Sequence, residues 1–295
     1  MAQIREIKKR TKAVGTIQRI TKTMQMIATA KFTAAVQRAK ATKPYTETIR
    51  ELVAELTSAA GEIEHPLIDG PPERVGRELL IVISSDRGLC GAYNASVFRT
   101  AIRHVRTARE GGTDLVVETS GKKAVGFFRF QKVPVDRMHA IGDKPQYEAV
   151  EAIASDVIAA FTAGEYDAVR VAYMRFESNA RQIPELLQLL PLRPATLESA
   201  ADAGEKTGGT ANYEFSPSGP ELLGALLPLA VKSQLFQAFN DAVVSEQIMR
   251  MVAMKAATEN ARDLKKTLTR DFNRARQAQI TTELTEIIGG TAALE

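Results

Sequence analysis

Tryptophan is absent from these 295 residues, cysteine occurs once and histidine three times. A lone Cys90 excludes an internal disulfide and leaves no thiol pair at metal-ligand spacing. His65, His104 and His139 are scattered, and neither histidines nor carboxylates cluster at ligand spacing, so no metal site is expected. A phosphate-cradling G-x-x-x-x-G-K-[ST] run is also missing; Gly204-Glu-Lys-Thr207 has neither the spacing nor the Gly-Lys pair. No apolar run approaches a membrane span: Leu222 to Val231 is about half of the ~20 residues required and contains Gly224 and Pro228. The N-terminus lacks the apolar core of a secretory signal, and its basic, periodic pattern reads as mature structure. The expectation is a chain without cofactor, metal, catalytic group or direct membrane span, in a reducing compartment.

What is present is mostly helix-forming. Aromatics make up 6% of the chain, against 44% hydrophobic and 25% charged residues, a composition suited to helix-on-helix packing. Net charge is +4, but residues 1 to 40 hold ten Lys/Arg against the single acid Glu6. Residues 58 to 239 hold 19 bases against 23 acids, so the positive charge belongs to the ends. Lys8-Lys9-Arg10 with Lys12 has no interleaved aromatic for base stacking, which favours an acidic protein partner or a solvated face over nucleic acid.

Between Ile4 and Ala60 the only Gly is Gly15 and the only Pro is Pro44, which predicts one long helix bent at Pro44. Ile4, Ile7, Thr11 and Val14 step by three and four; Ile17, Ile20, Met24 and Ile27 predict that the seam resumes after a slip of one position. At 1.5 Å per residue this is a rod of roughly 80 Å. A second rod of roughly 100 Å is predicted from the capping pattern Ser218-Gly-Pro-Glu221 to a stop at Gly289-Gly290. Its stripe runs through Leu235, Phe239, Val243, Leu264, Leu268 and Phe272.

The middle of the chain changes period. Leu79–Ile83, Leu115–Glu118 and Val169–Tyr173 read as strands, with amphipathic helices over Tyr93–Arg109, Lys122–Phe128 and Tyr147–Ala163. Ala200 to Ser218 reads as a loop. The fold class is thus α/β, with a long antiparallel coiled coil of the N- and C-terminal helices and a central doubly wound (Rossmann-like) domain. Domain limits are 1–60 for the first helix, 70–210 for the α/β domain and 218–288 for the last helix, which pairs with 1–60.

Local motifs have bland readings. Ser84-Ser-Asp-Arg-Gly-Leu-Cys-Gly91 opens a helix whose N-terminus suits an anion, but a tight strand-to-helix turn explains both glycines. Cys90 is better read as a buried thiol than as a nucleophile. Met24, Met26 and Ile27 read as coiled-coil filler rather than a groove. Asn94-Ala-Ser96 is a glycosylation triplet in form only. Near the end, Arg270, Arg274, Arg276 and Gln277, followed by Thr281, Glu283 and Glu286, place long polar groups on several faces of a thin rod. Such groups suit an enclosing protein partner, with charge-assisted bonds that break and re-form as the rod turns; plain solvent exposure is the alternative.

Five runs together resemble the gamma subunits of F-type ATP synthases. They are Ile20-Thr-Lys-Thr-Met-Gln-Met-Ile27 with Ala30-Lys31, the Ser84 to Asn94 loop, Ser245-Glu246, Arg250-Met-Val-Ala-Met-Lys-Ala-Ala-Thr-Glu-Asn260, and Asn273-Arg-Ala-Arg-Gln-Ala-Gln-Ile-Thr-Thr-Glu-Leu-Thr-Glu-Ile287. Ile17-Gln-Arg-Ile20 departs from the commoner Thr-Gln-Lys-Ile, and Phe32 and Thr33 stand where Leu or Met and Arg are frequent. The resemblance implies a non-catalytic rotor shaft, one copy per complex, within a hexamer of alpha and beta subunits. Its base would sit with epsilon on the proton-driven c-ring, peripheral to the cytoplasmic side of a bacterial inner membrane. It carries contacts toward the beta subunits onto Met24, Arg250, Arg276, Gln277 and Thr281, with Glu283 in support. Two rivals make different demands: a nucleic-acid-binding coiled coil predicts salt-sensitive binding, and a free-standing α/β enzyme predicts turnover by residues 70 to 210 alone.

Overall fold

The computed structural model describes residues 2–59, 65–192 and 219–292. The first helix, α1, spans Ala2–Ala59 and runs through Pro44 without a break. Then come α2 (Pro66–Asp69), β1 (Arg77–Ile83), α3 (Tyr93–Glu110), β2 (Asp114–Ser120), α4 (Lys122–Phe130), β3 (Arg137–His139), α5 (Tyr147–Thr162), β4 (Ala168–Phe176), β5 (Gln182–Leu190) and α6 (Gly219–Ala292). Gly289-Gly290 does not stop α6, which continues to Ala292; neither glycine takes the left-handed conformation a terminating turn would use. The loop expected over 200–218 and the capping residue Ser218 lie outside the described residues. Two compact units divide the chain, Met1–Ala30 with Arg250–Glu295, and Lys31–Met249, so the division cuts through both long helices.

In the Lys31–Met249 unit the strand order is β3-β2-β1-β4-β5. Pairing is parallel except for the β4–β5 hairpin. The chain steps outward from β1 to β3 and returns to the other side of β1 with β4, which is the doubly wound plan. Neither β3 nor β5 was expected from the sequence. The first is three residues long; the second carries Pro184, Gln182, Glu185 and Gln188 on an edge, where proline and polar residues are tolerated.

The central strand Leu79-Leu-Ile-Val-Ile83 is apolar throughout because both its faces are covered. Leu79, Ile81 and Ile83 pack with Val150, Val157 and Phe161 of α5 and with Leu223, Leu227, Val231 and Leu235 of α6. Leu80 and Val82 face the other way, against Val97, Ala101 and Val105 of α3 and Phe128 of α4. Each buried Leu, Ile or Phe contributes roughly 1.5–3 kcal/mol. By length and composition α6 passes for a membrane span, with an 18-residue window of mean hydropathy 1.3. Its apolar residues from Leu223 to Phe239 are, however, spent on this core.

The other unit is an antiparallel helix pair. Thr258 Oγ1 of α6 donates to Thr21 Oγ1 of α1 at 2.8 Å. Nearer the start of α1, Gly15 faces Lys265, and Ile4 and Arg5 share a shallow groove with Phe272 and Arg276. The expected slip does not occur. The buried or half-buried line of α1 continues in phase from Ile4, Ile7, Thr11 and Val14 through Gln18, Thr21 and Ala28. Of the four residues expected to resume it, Met24 is half-buried, but Ile17, Ile20 and Ile27 face outward, 51%, 54% and 52% exposed. Small residues decide the seam, because Gly15, Thr21, Ala28, Thr258 and Ala261 let two backbones approach where an isoleucine would hold them apart. On α6 the covered line runs through Met254, Thr258, Ala261, Leu268 and Phe272, and Leu264, out of phase with it, is 50% exposed.

Candidate functional sites on the crevice and the paired helices

Strand order reverses between β1 and β4, the place where doubly wound folds receive ligands. Here the chain fills that place itself. Ser245 of α6, fully buried, donates to the Met174 carbonyl at 3.2 Å. Phe239, Ala242 and Glu246 of α6 meet Ile83, Ser84 and Gly121, leaving a cavity of about 20 Å³. That is room for about one water and for no larger ligand. Lys31 of α1 reaches Asp143 at 2.5 Å beside the same crevice.

The first amides of α4 are likewise spoken for. Lys122 N–H donates to Asp86 Oδ1 at 3.1 Å, Lys123 N–H to the Ser85 carbonyl at 3.1 Å, and Ala124 N–H to Ser84 Oγ at 3.0 Å. At the start of α3, Asn94 folds back over the loop, accepting from Ser85 N–H at 3.1 Å and donating to Ser85 Oγ at 2.7 Å and Cys90 Sγ at 3.2 Å. The Ser84 to Gly91 run is therefore a self-knit turn. Gly121 is needed beside it: φ is +93°, and a Cβ there would lie 2.2 Å from the Ser84 carbonyl oxygen. Cys90 is buried, and the histidines are engaged elsewhere. His65 Nδ1 accepts from Leu67 N–H at 3.1 Å, His104 pairs with Glu78 at 3.0 Å and His139 with Glu118 at 2.7 Å.

On the helix pair, the residues singled out from the sequence fall into three settings. Met24 is half-buried on α1. Arg250 is only 8% exposed, so most of its side chain is covered by its own chain. Arg276, Gln277, Thr281 and Glu283 are all exposed on α6. Helical spacing puts Gln277 and Thr281 on one face and Arg276 with Glu283 on the next. Thr281 Oγ1 donates to the Gln277 carbonyl at 3.0 Å, and Glu283 accepts from Gln279 Nε2 at 2.7 Å, so both keep free capacity for further bonds.

The structure adds residues absent from the sequence expectation. Arg262, Lys265 and Lys266 line one open groove with Arg270, Arg274 and Gln277. Their spacing of three and four was legible, but a run of cations on a helix ordinarily marks only a solvated face.

Residues 3–294 match the protein family described as ATP synthase. The chain is 42% identical over 298 residues to the ATP synthase gamma chain of Rhodopirellula baltica and 38% identical over 296 residues to that of Haemophilus influenzae, with the full length of both proteins covered in each case. Among solved structures, a chain of the Euglena gracilis mitochondrial ATP synthase OSCP/F1/c-ring assembly is similar with a TM-score of 0.66 at 18% identity, covering 99% of this chain and 95% of that one. A chain of the Tetrahymena thermophila central stalk/c-ring is similar with a TM-score of 0.57 at 23% identity, covering 81% of this chain and 99% of that one. With a matched family across nearly every residue and relatives of this identity over their whole length, the chain belongs to the ATP synthase gamma-chain family.

Proposed function

We propose that this chain is the central-stalk shaft of an F-type ATP synthase, carrying torque between a proton-driven c-ring and an alpha/beta catalytic hexamer while catalysing nothing itself. The observation that carries this reading is the exposed stretch of α6 from Arg270 to Glu283, where cationic and amide side chains project from neighbouring faces of a helix. The filled crevice at the β1/β4 reversal supports it from the other side, since no ligand-sized space remains there. Two helices wound together resist twisting better than one. A shaft must also touch its three alike partners differently, because an element in equal contact with every state shifts none of them. A pair of unequal helices meets that condition: near the start of α1, Ile4 and Arg5 share a groove with Phe272 and Arg276, and α6 continues to Ala292.

In this reading Arg276, Gln277, Thr281 and Glu283 bond to the beta-subunit levers, and Met24 supports them from α1. Arg250, largely covered, is included on its motif rather than its exposure. The outward Ile17, Ile20 and Ile27 give the shaft an apolar bearing surface. We assign torque transmission to residues 1–60 and 218–288, with α6 carrying the tip on to Ala292, and seating on the c-ring with epsilon to residues 70–210. The complex would be peripheral to the cytoplasmic side of a bacterial inner membrane. Reconstitution with alpha and beta subunits, with a bead on the α/β unit, tests the proposal: ATP hydrolysis should turn the bead. Hydrolysis at full rate without rotation would sink it.

A further inference from the structure

A half-open cavity of about 500 Å³ lies in the Lys31–Met249 unit, between α1, the β4–β5 hairpin and α6. Asp241 of α6 stands in its wall, tied directly to β4 and, through Gln237, to α1. Gln237 Nε2 donates to Asp241 Oδ1 at 2.8 Å, and the backbone N–H of Phe176, the last residue of β4, donates to the same carboxyl. Thr42 Oγ1 of α1 in turn donates to Gln237 Oε1 at 3.3 Å. We propose that Asp241 is a proton-operated clasp, shut when protonated and eased open when ionised, that fastens the β4–β5 hairpin and α1 to α6.

The surroundings of Asp241 set the direction. Burial raises its carboxyl from 3.8 to about 6, against the opposing pull of the Gln237 and Phe176 hydrogen bonds and the Lys43 charge; Glu185 pushes the same way as burial. The charged and titratable groups lining the cavity are Lys40, Lys43, Glu47 and Arg50 on α1, Tyr173, Arg175 and Glu177 on and just after β4, and Glu185 on β5. Lys43 is engaged with Glu47 at 3.4 Å and Arg175 with Glu185 at 2.9 Å, so neither neutralises Asp241 at contact. Protonated, Asp241 keeps a carbonyl oxygen for its donors and sheds the cost of a buried charge. Ionised, it gains by reaching water, and the cavity gives it a path. Because the carboxyl holds its proton more tightly closed than hydrated, acid favours the closed arrangement and rising pH favours opening. The full span between 3.8 and about 6 corresponds to roughly a hundredfold in the opening equilibrium.

Amide exchange at Phe176 and along the hairpin of the full-length chain, corrected for the intrinsic pH dependence of exchange, reads that equilibrium. Opening should rise roughly tenfold between pH 5 and pH 7 in the native chain, levelling off above about 6 once the closed carboxyl is itself ionised, and stay flat in Asp241→Asn. Glu185→Gln, which removes the like charge, should shift the rise to lower pH and keeps the test alive if the Asn variant does not fold. A flat native profile, an equal rise in Asp241→Asn, or an unshifted rise in Glu185→Gln overturns the proposal. The inference stands independently of the shaft reading, since it concerns only how this unit holds itself closed.

Discussion

Gly121 shows how one residue shapes the crevice that the chain fills with its own side chains. Its backbone takes φ +93°, and its α-carbon lies so close to Ser84 that an added methyl would meet a carbonyl oxygen at 2.2 Å. Backbone cannot swing aside as a flexible side chain can. Gly121→Ala should therefore destabilise the α/β unit by about 2–4 kcal/mol, read as a lower urea midpoint at unchanged m-value. At the opposite end of β1, Glu78 accepts from His104 at 3.0 Å and Arg170 at 3.2 Å. The His104 hydrogen bond, followed by the charge and hydrogen bond of Arg170, holds its carboxyl below the usual range despite opposing burial. The lowered value fixes the sign: the contribution is present above the unfolded carboxyl value and is lost as pH falls through the folded one. Urea midpoints at pH 7 and pH 3.5 should fall further apart in the native chain than in Glu78→Gln, and equal falls would remove Glu78 from the acid response.

At the scale of elements, long patterns were legible and close approaches were not. Both terminal helices and the strands β1, β2 and β4 announce themselves by periodicity, since continuous apolar runs such as Leu79–Ile83 have few uses other than a buried parallel strand. The edge strand β5 was hidden by Pro184 and its polar neighbours, because an edge does not need to be apolar. The seam of α1 was misread for a related reason. Hydrophobicity pointed to Ile17, Ile20 and Ile27, whereas the pair closes on small side chains at Gly15, Thr21 and Ala28. Of the candidate site, Arg276, Gln277, Thr281 and Glu283 were legible as polar groups around a rod, but the covering of Arg250 depends on packing that spacing cannot reveal. The two seams make different forecasts. Ile17→Ser, on an exposed position, should change stability by no more than about 0.5 kcal/mol. Ala28→Leu, at 1% exposure, should cost about 1–3 kcal/mol by overpacking, and thermal unfolding of both variants would rank them. A larger loss from Ile17→Ser would restore the apolar seam.

For the whole molecule, the proposed division of labour between shaft and α/β unit is one that mutations at the far end of α6 can expose. Among the described residues, none after Arg276 belongs to the core of the α/β unit, and the neighbours of Arg276 on α1 are Ile4 and Arg5. Deleting 276–295 should therefore leave the α/β unit folded, by far-ultraviolet circular dichroism and urea midpoint, while coupling or assembly with alpha and beta weakens. A finer cut is Gln277→Leu, which keeps size and helix propensity but removes a donor and an acceptor from an exposed position. In the isolated chain the change costs almost nothing, because water already satisfies the amide. Inside an enclosing hexamer the partner group is left without its bond, a loss of about 0.5–3 kcal/mol that depends on the partner's charge. ATP turnover of the assembled complex should fall while the stability of the free chain holds. Because the penalty appears only when a partner surrounds the helix, unchanged turnover in the complex would discredit Gln277 as a contact. Loss of stability in the free chain would instead show that its work is internal.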